Sequence, residues 1–201
     1  MIDEIHQNFE ANLARAEKLI EIYEEHAGSG PGRRGVTESD LLRAAVVFLH
    51  ASLEDLLRST ISWKLPEIDD VSIIDNVPLL GISDFNRPQK FFLGSLIEFK
   101  KLTVKELIEK SVSAHFYTVS FNSMSDIVNS LKGIGLDPER FSDGFGILDG
   151  LVSRRHHIVH QADLNRTPGT GHHAARSISK DQVREWLDVV RSFGEQLLGD
   201  L

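Results

Sequence analysis

The sequence predicts an all-α fold, and three features support this prediction. Apolar residues recur at helical spacing in the first and last segments of the chain. Several segments begin with serine or threonine followed by an acid three positions later, a pattern that starts helices. Clusters containing glycine and proline separate the segments. The chain has 201 residues, of which 41% are hydrophobic, so it can bury a substantial core.

The first two predicted helices form the N-terminal part of the fold. Residues 3–26 are expected to form an amphipathic helix that ends before a glycine-rich loop at residues 28–32. Thr37 is expected to cap the second helix. Residues 41–65 are strongly apolar, and we expect them to form the central helix of the domain.

The middle of the sequence is less regular. Residues 71–74 are predicted to be a short strand or a loop, because prolines and a glycine soon follow them. Residues 91–99 are expected to form a short helix. Thr103 has an acid three positions later and is expected to cap a longer helix that runs to about Ser120.

Four further helical segments are predicted in the C-terminal half. Ser123 or Ser125 is expected to cap the first of them, which ends at a glycine pair in residues 133–135. Asp137 and Pro138 suit the start of the second, with proline at its first position. Residues 145–163 are expected to form the third, and residues 179–198 to close the chain as an amphipathic helix. The sequence shows no internal repeat and no boundary between two domains.

Composition excludes several classes of function. There is no cysteine, so disulfides, thiol nucleophiles and thiolate metal sites are excluded. No apolar run approaches the roughly 18 residues that span a bilayer, and the N-terminus lacks the pattern of a secretion signal. We therefore expect a cytoplasmic protein with no membrane partner. The net charge of -8 argues against a broad nucleic-acid-coating surface but permits a small basic cleft.

The predicted helix over residues 145–163 carries the strongest candidate chemistry. One stripe of its helical wheel contains Leu148, Val152, Arg155, Val159 and Ala162. Arg155 therefore interrupts an apolar stripe, and it needs a partner because an unpaired charge there is costly. Imidazoles lie within reach, and their reference pKa near neutrality suits proton transfer. Cleavage of a phosphodiester requires a fixed positive charge beside a group that transfers protons.

The spacing of Arg155 and His160 favours a site shared between two protomers. The two residues are five positions apart, so they point about 140° apart on one helix. A second copy of the helix, packed antiparallel across a dimer axis, could bring an arginine and a histidine together. In a purely structural alternative, Arg155 pairs with Glu54 or Asp55, and His160 caps or packs.

A metal site is another interpretation of the histidines. His156 and His160 are four residues apart on one helix face, a spacing that suits zinc. His172, His173 or Asp163 could supply further ligands. The sequence has no His-Glu-x-x-His pattern and no glutamate placed as the general base of such a site, so the favoured interpretation includes no metal and no cofactor.

These residues resemble the HEPN superfamily, in particular its RiboL-PSP type. The mark of that superfamily is an arginine, a following polar residue and then a histidine on the same late helix, a pattern that Arg155, His156 and His160 fit. Residues 48–57, FLHASLEDLL, are similar to its early long helix. Residues 127–136, IVNSLKGIGL, are similar to the segment before its motif helix.

The resemblance implies an HEPN-like helical bundle of four to five core helices with an extra N-terminal helix. It covers roughly residues 40–198. We interpret the whole chain, residues 1–201, as one domain with a core over about residues 37–198. Residues 1–32 then hold the N-terminal helix and the glycine-rich loop.

The resemblance also implies an activity, since many HEPN proteins are metal-independent ribonucleases that serve as toxins or defence effectors. They dimerise through the motif helix, and a toxin of this kind would have an antitoxin or other neutralising protein as its partner. His160 would act as general base or acid at the 2′-hydroxyl and the leaving oxygen of RNA. Arg155 would bind the scissile phosphate and stabilise its extra charge in the transition state.

Five neighbouring residues are candidates for supporting roles, as hypotheses that rest on spacing alone. Arg154 could hold a neighbouring phosphate, and His156 or His157 could assist the chemistry or orient a group. Asp163 could fix the tautomer of His160. Glu54, on the early helix, could hold Arg155 in place.

One departure from the superfamily affects the functional interpretation. Some relatives carry a tyrosine two residues after the histidine, which a partner nucleotidyltransferase modifies, whereas this chain has Ala162. Control by that modification is therefore not expected. Inactive HEPN members exist, so the alternative function is a non-catalytic module that binds a nucleotide, RNA or a protein.

Overall fold

The computed structural model describes residues 1–26, 36–80, 93–165 and 175–201 and confirms the all-α prediction. The α-helices of this described part are α1 (Ile2–His26), α2 (Val36–Lys64), α3 (Val71–Ile74), α4 (Val104–Thr118), α5 (Met124–Gly133), α6 (Phe145–Gln161) and α7 (Lys180–Gly199). Its 3-10 helices are Leu65–Glu67, Leu93–Phe99 and Pro138–Gly144. No helix of these ranges is long and apolar enough to cross a membrane.

Local capping signals place three of the helices where the sequence predicts them. Thr103 and Glu106 form a reciprocal capping box at the start of α4. Ser123, rather than Ser125, caps α5 in the same way. Ser179 accepts a hydrogen bond from the Gln182 N–H and starts α7. Each cap gives a partner to a backbone N–H that the helix itself leaves without one.

Two predicted elements differ from the structure. Residues 71–74 form a short α-helix instead of a strand or loop, because the Asp70 side chain accepts the Ser72 N–H and caps it. The central helix begins at Val36, so Thr37 lies inside α2 rather than before it. The predicted glycine-rich loop at residues 28–32 lies outside the described residues.

The core forms where α1, α2 and α7 pack together, with α4, α5 and α6 completing it. One face of α1 is buried in this core and consists of Ile5, Phe9, Leu13, Ala16, Ile20 and Tyr23. The centre of α2 contributes a continuous buried set that includes Leu42, Leu49, Leu53 and Leu56. Burial of this apolar surface is the main stabilising contribution, at about 25 cal/mol per Å². The N-terminal helix α1 therefore packs against α2 and α7, the two longest of the other described helices.

The motif helix α6 is buried only along its first half. Leu148, Leu151 and Val152 lie in the core against α2 and α7. Farther along, Val159 is 49% exposed and Ala162 is also exposed. The apolar stripe predicted from the helical wheel is therefore not buried along its whole length.

Candidate active site on the motif helix

Two histidines share the open face of α6. The side chains of His156 and His160 are exposed, and their ring centroids lie 4.7 Å apart with planes tilted by 47°. Four residues separate them, so they sit one turn apart on the same face. His157 lies to one side, with Nδ1 3.1 Å from Oε1 of Gln161. The exposed pair leaves two imidazoles accessible to a ligand from outside the bundle.

Arg155 faces a different environment from these histidines. Its side chain is half-buried, and NH1 donates a hydrogen bond to Oδ1 of Asn122 at 3.0 Å. Asn122 lies in the connection between α4 and α5, next to the cap of α5. The guanidinium is therefore oriented by a polar group through one of its five N–H donors.

Glu54 on α2 supplies negative charge next to Arg155. Burial would raise the pKa of this carboxyl, but the His50 imidazole, the Phe121 backbone N–H and the positive charge of Arg155 together lower the pKa to about 2. The Phe121 N–H donates to Oε1 at 3.0 Å, and Nδ1 of His50 lies 3.6 Å from Oε2. Glu54 acts on Arg155 through charge, whereas Arg155 donates its direct hydrogen bond to Asn122.

His50 is the innermost member of this group. Its side chain is 1% exposed, and Nε2 has no hydrogen-bond partner among the described residues. Only Nδ1 faces the Glu54 carboxylate. A chain of polar groups therefore leads from the buried His50 through Glu54 to the half-buried Arg155.

The geometry does not support the roles expected of Arg154 and Asp163. Asp163 is fully buried, and its Oδ2 accepts hydrogen bonds from Arg43 Nε and Arg154 NH2, both at 2.8 Å. Among the described residues its side-chain hydrogen bonds join these two guanidiniums and not His160. Arg154 NH2 also donates to the Ser177 carbonyl at 2.9 Å, so this nitrogen is engaged inside the protein, on a side chain that is only 13% exposed.

Three contributors to this region were not predicted from the sequence. Asn122 lies in a connection without periodicity, so no local signal marks it. His50 and Arg43 interrupt apolar positions of α2, and both are buried there. A polar or charged side chain at such a position indicates that a partner exists, because burying it alone is costly. The sequence cannot show that the partner of Arg43 lies 120 residues away.

No group of three or more histidine, aspartate or glutamate side chains is placed to hold a metal ion in the described ranges. His156 and His160 offer two nitrogen ligands there. The further candidates His172 and His173 lie outside the described residues. The imidazoles of His156 and His160 can transfer protons, and the guanidinium of Arg155 on the same helix can bind a phosphate.

Comparison with known proteins identifies the family. No curated protein and no solved structure matches the chain. A family model described as RiboL-PSP-HEPN matches residues 11–199, from the middle of α1 to the last residue of α7. That range includes every residue of the site described above and confirms the resemblance seen in the sequence. The chain therefore belongs to the RiboL-PSP-HEPN family.

Proposed function

We propose that this protein is a metal-independent endoribonuclease of the HEPN type that acts as a homodimer. Membership of the family suggests a ribonuclease-type or nucleotide-binding role. The observation that supports catalysis is the placement of the exposed His156 and His160 on the same helix as Arg155, which is oriented by Asn122. Proton-transfer groups and an anion-binding group are the two components that RNA cleavage without a metal requires.

The proposed reaction is an internal transesterification of RNA. His160 accepts the proton of the 2′-hydroxyl, whose oxygen attacks the phosphorus and forms a cyclic phosphate. The bond between phosphorus and the 5′-oxygen breaks, and a second, protonated imidazole gives a proton to that oxygen. Arg155 binds the phosphate oxygens and stabilises the extra negative charge of the transition state.

The second imidazole has two candidate sources. In the shared site that we favour, it is His160 of the other protomer, with Arg155 likewise contributed by both protomers. His156 is the candidate within one protomer, since its ring lies 4.7 Å from that of His160. We place the dimer axis close to the exposed half of α6 on the spacing of Arg155 and His160 and on the resemblance to HEPN dimers; Val159, 49% exposed beside His160, would lie near it.

A toxin or antiphage defence role, with a neutralising partner protein, is the biological setting that we propose. It rests on the resemblance to HEPN effectors rather than on a surface of this chain. A ribonuclease with an open site would damage cellular RNA, so a partner that covers His160 until cleavage is needed fits this activity. The net charge of -8 restricts nucleic-acid binding to a local patch around α6 rather than the whole surface.

The experiment that tests this function compares the wild type with His160→Ala on a mixed RNA pool, with both proteins in excess EDTA. Matched folding of the two proteins is verified first by circular dichroism and thermal unfolding. We expect the wild type to produce fragments that end in a cyclic phosphate and the variant to lose cleavage. Equal cleavage by both folded proteins would show that the assignment of His160 is wrong.

A non-catalytic module that binds RNA or a nucleotide is the second candidate function. The acidic net charge favours it, as does Ala162 at the position where some HEPN relatives carry the modified tyrosine. In this case the Arg155 guanidinium would still bind a phosphate. Binding that disappears in Arg155→Gln, without turnover by the wild type on any RNA of the pool, would identify this function.

A further inference from the structure

A buried cluster of Arg43, Arg154 and Asp163 lies just beyond the proposed catalytic histidine. Arg43 Nε and Arg154 NH2 both donate to Asp163 Oδ2 at 2.8 Å. Asp163 is fully buried, and the side chains of Arg43 and Arg154 are only 11% and 13% exposed. Two guanidiniums that share one buried carboxylate are held much more firmly than a surface ion pair.

The cluster joins three separate parts of the chain. Arg43 belongs to α2, Arg154 to α6, and Asp163 follows the C-terminus of α6. Both arginines also donate hydrogen bonds to backbone carbonyls of the segment before α7. Arg43 NH2 donates to the Arg176 carbonyl at 2.8 Å, and Arg154 NH2 donates to the Ser177 carbonyl at 2.9 Å. The Arg176 N–H in turn donates to the Asp163 carbonyl at 2.8 Å. The end of α6 is thereby fixed to α2 and to the segment before α7.

The backbone at this point has an uncommon conformation that the cluster holds in place. Ala162 and Asp163 both have positive φ, at 49° and 54°, although neither is glycine. A non-glycine residue in the left-handed region persists only where its surroundings determine it. The Asp163 N–H donates to the His157 carbonyl at 3.0 Å and so closes the last turn of α6. His160 lies inside that turn.

His160 depends on this turn for its position. Its ring is exposed and lies 4.7 Å from the exposed ring of His156. Because an exposed side chain is not enclosed by the core, the location of His160 follows mainly from the backbone of the last turn. We propose that Arg43 and Asp163 are positioning residues that hold His160 in its productive place. This inference rests on the proposed ribonuclease function.

The test uses the full-length protein in five forms: wild type, Asp163→Asn, Arg43→Lys, the double variant, and Arg191→Gln as a control. Asp163→Asn keeps the shape of the side chain but removes the charge, and Arg43→Lys keeps the charge but cannot donate from the Nε and NH2 positions together. Arg191 pairs with Glu17 at 3.1 Å, at a contact between α7 and α1, so the control removes an ion pair elsewhere. All forms are compared at a temperature where each is fully folded.

Two measurements are made on each form: kcat and KM for RNA cleavage, and amide hydrogen exchange along the chain. We expect kcat to fall about tenfold in Asp163→Asn and Arg43→Lys, with KM changed by less than about twofold, because a displaced His160 slows proton transfer more than binding. Exchange should accelerate about tenfold at residues 158–163 and change little in α1. The kcat of the double variant should be no lower than that of the more affected single variant, since both substitutions disrupt the same cluster.

Other outcomes separate this inference from the proposed function. Unchanged kcat and exchange in a folded Asp163→Asn or Arg43→Lys would overturn the positioning role. Acceleration of exchange over the whole chain, with kcat unaffected at full folding, would also overturn it, because the cluster would then serve stability alone. If Asp163→Asn does not fold, Arg43→Lys decides the question with the same two measurements. If the wild type cleaves no RNA, the ribonuclease function fails, while exchange at residues 158–163 still decides whether the cluster holds the helix end.

Discussion

Arg155 and His160 lie on the same helix but face different surroundings. Arg155 is half-buried and donates a 3.0 Å hydrogen bond to Asn122, whereas the ring of His160 is exposed on the open face of α6. The cation is therefore oriented by Asn122, and the histidine is presented to a ligand from outside. An anion-binding group and an accessible proton-transfer group are the two components that phosphodiester cleavage uses.

Replacement of Arg155 should slow RNA cleavage by a factor of about 100 or more. The guanidinium stabilises negative charge that develops in the transition state, and loss of one such donor group typically costs about 10²–10³ in kcat. Arg155→Lys should restore only part of the activity, because an ammonium group lacks the planar fork with which a guanidinium binds two phosphate oxygens. Single-turnover kinetics measures both variants, and equal rates for wild type and Arg155→Lys would contradict the proposed role.

A matched control for that comparison is Arg140→Gln. Arg140 is exposed and pairs with Asp200 at 2.7 Å, at the end of the bundle formed by Pro138–Gly144 and the C-terminus. The control also removes one arginine from an acidic protein, so it reports any general effect of net charge on RNA binding. A similar loss of activity in Arg140→Gln would assign the effect to overall charge instead of the site.

Glu54 should contribute stability that depends on pH. Its pKa is lowered in the folded state from the usual 4.5 to about 2, so its contribution is complete above about pH 4.5 and is lost as the pH falls toward 2. The Glu54→Gln variant lacks this contribution. We expect the free energy of unfolding of the wild type, relative to that of the variant, to be about 1–2 kcal/mol lower at pH 3 than at pH 7. This range allows for partial screening of the Glu54 charge by solvent. Urea unfolding at several pH values measures this difference, and a constant difference across that range would contradict the assignment.

Much of the fold could be predicted because its signals are local. The caps at Thr103, Ser123 and Ser179 lie within four residues of the backbone groups that they satisfy. The error at residues 71–74 has a local cause too, since Val71, Ile73 and Ile74 favour strands by propensity. In the structure the Asp70 cap and the packing of Ile73 and Ile74 against the core outweigh that preference.

The site could be predicted only in part, because its contacts are long-range. The pattern of Arg155 and His160 is visible within six residues of sequence. The role of Asp163 is not, since its position three residues after His160 suggests a contact with that histidine, whereas its partner Arg43 lies on α2, 120 residues away. Spacing along one helix shows which side chains lie near each other on that helix. It does not show which of them forms a hydrogen bond with a residue of another helix.

Gly194→Ala should strongly destabilise the protein. A Cβ at this position of α7 would clash with the ring of Phe9 and lie 3.0 Å from Leu56 Cδ2. Phe9 is 1% exposed and packed between helices, so it cannot move aside freely. Overpacking of this kind costs about 1–3 kcal/mol, more than the gain of up to about 1 kcal/mol from replacing a helical glycine with alanine. Chemical denaturation measures the difference in the free energy of unfolding.

Gly146→Ala is the matched control for Gly194→Ala. Gly146 is also helical, in the first turn of α6, but an added Cβ there has no neighbouring atom within 4 Å. This variant should be neutral or stabilised by up to about 1 kcal/mol, because alanine favours the helix without a steric cost. Destabilisation of both variants by the same amount would show that contact with Phe9 is not the cause.

Val159→Asp should disrupt the proposed dimer and reduce cleavage. Val159 is an exposed apolar residue on the second half of α6, directly before His160, where the proposed dimer axis lies. A carboxylate there would be buried against its own copy across a two-fold axis, and such repulsion is costly. Sedimentation analysis should show a monomer at micromolar concentration, with kcat reduced about tenfold or more. Val104→Asp places the same charge on α4, at a residue that is 75% exposed, and should leave the assembly and kcat unchanged. If Val159→Asp is monomeric but fully active, the site is complete within one protomer, and His156 becomes the source of the second imidazole.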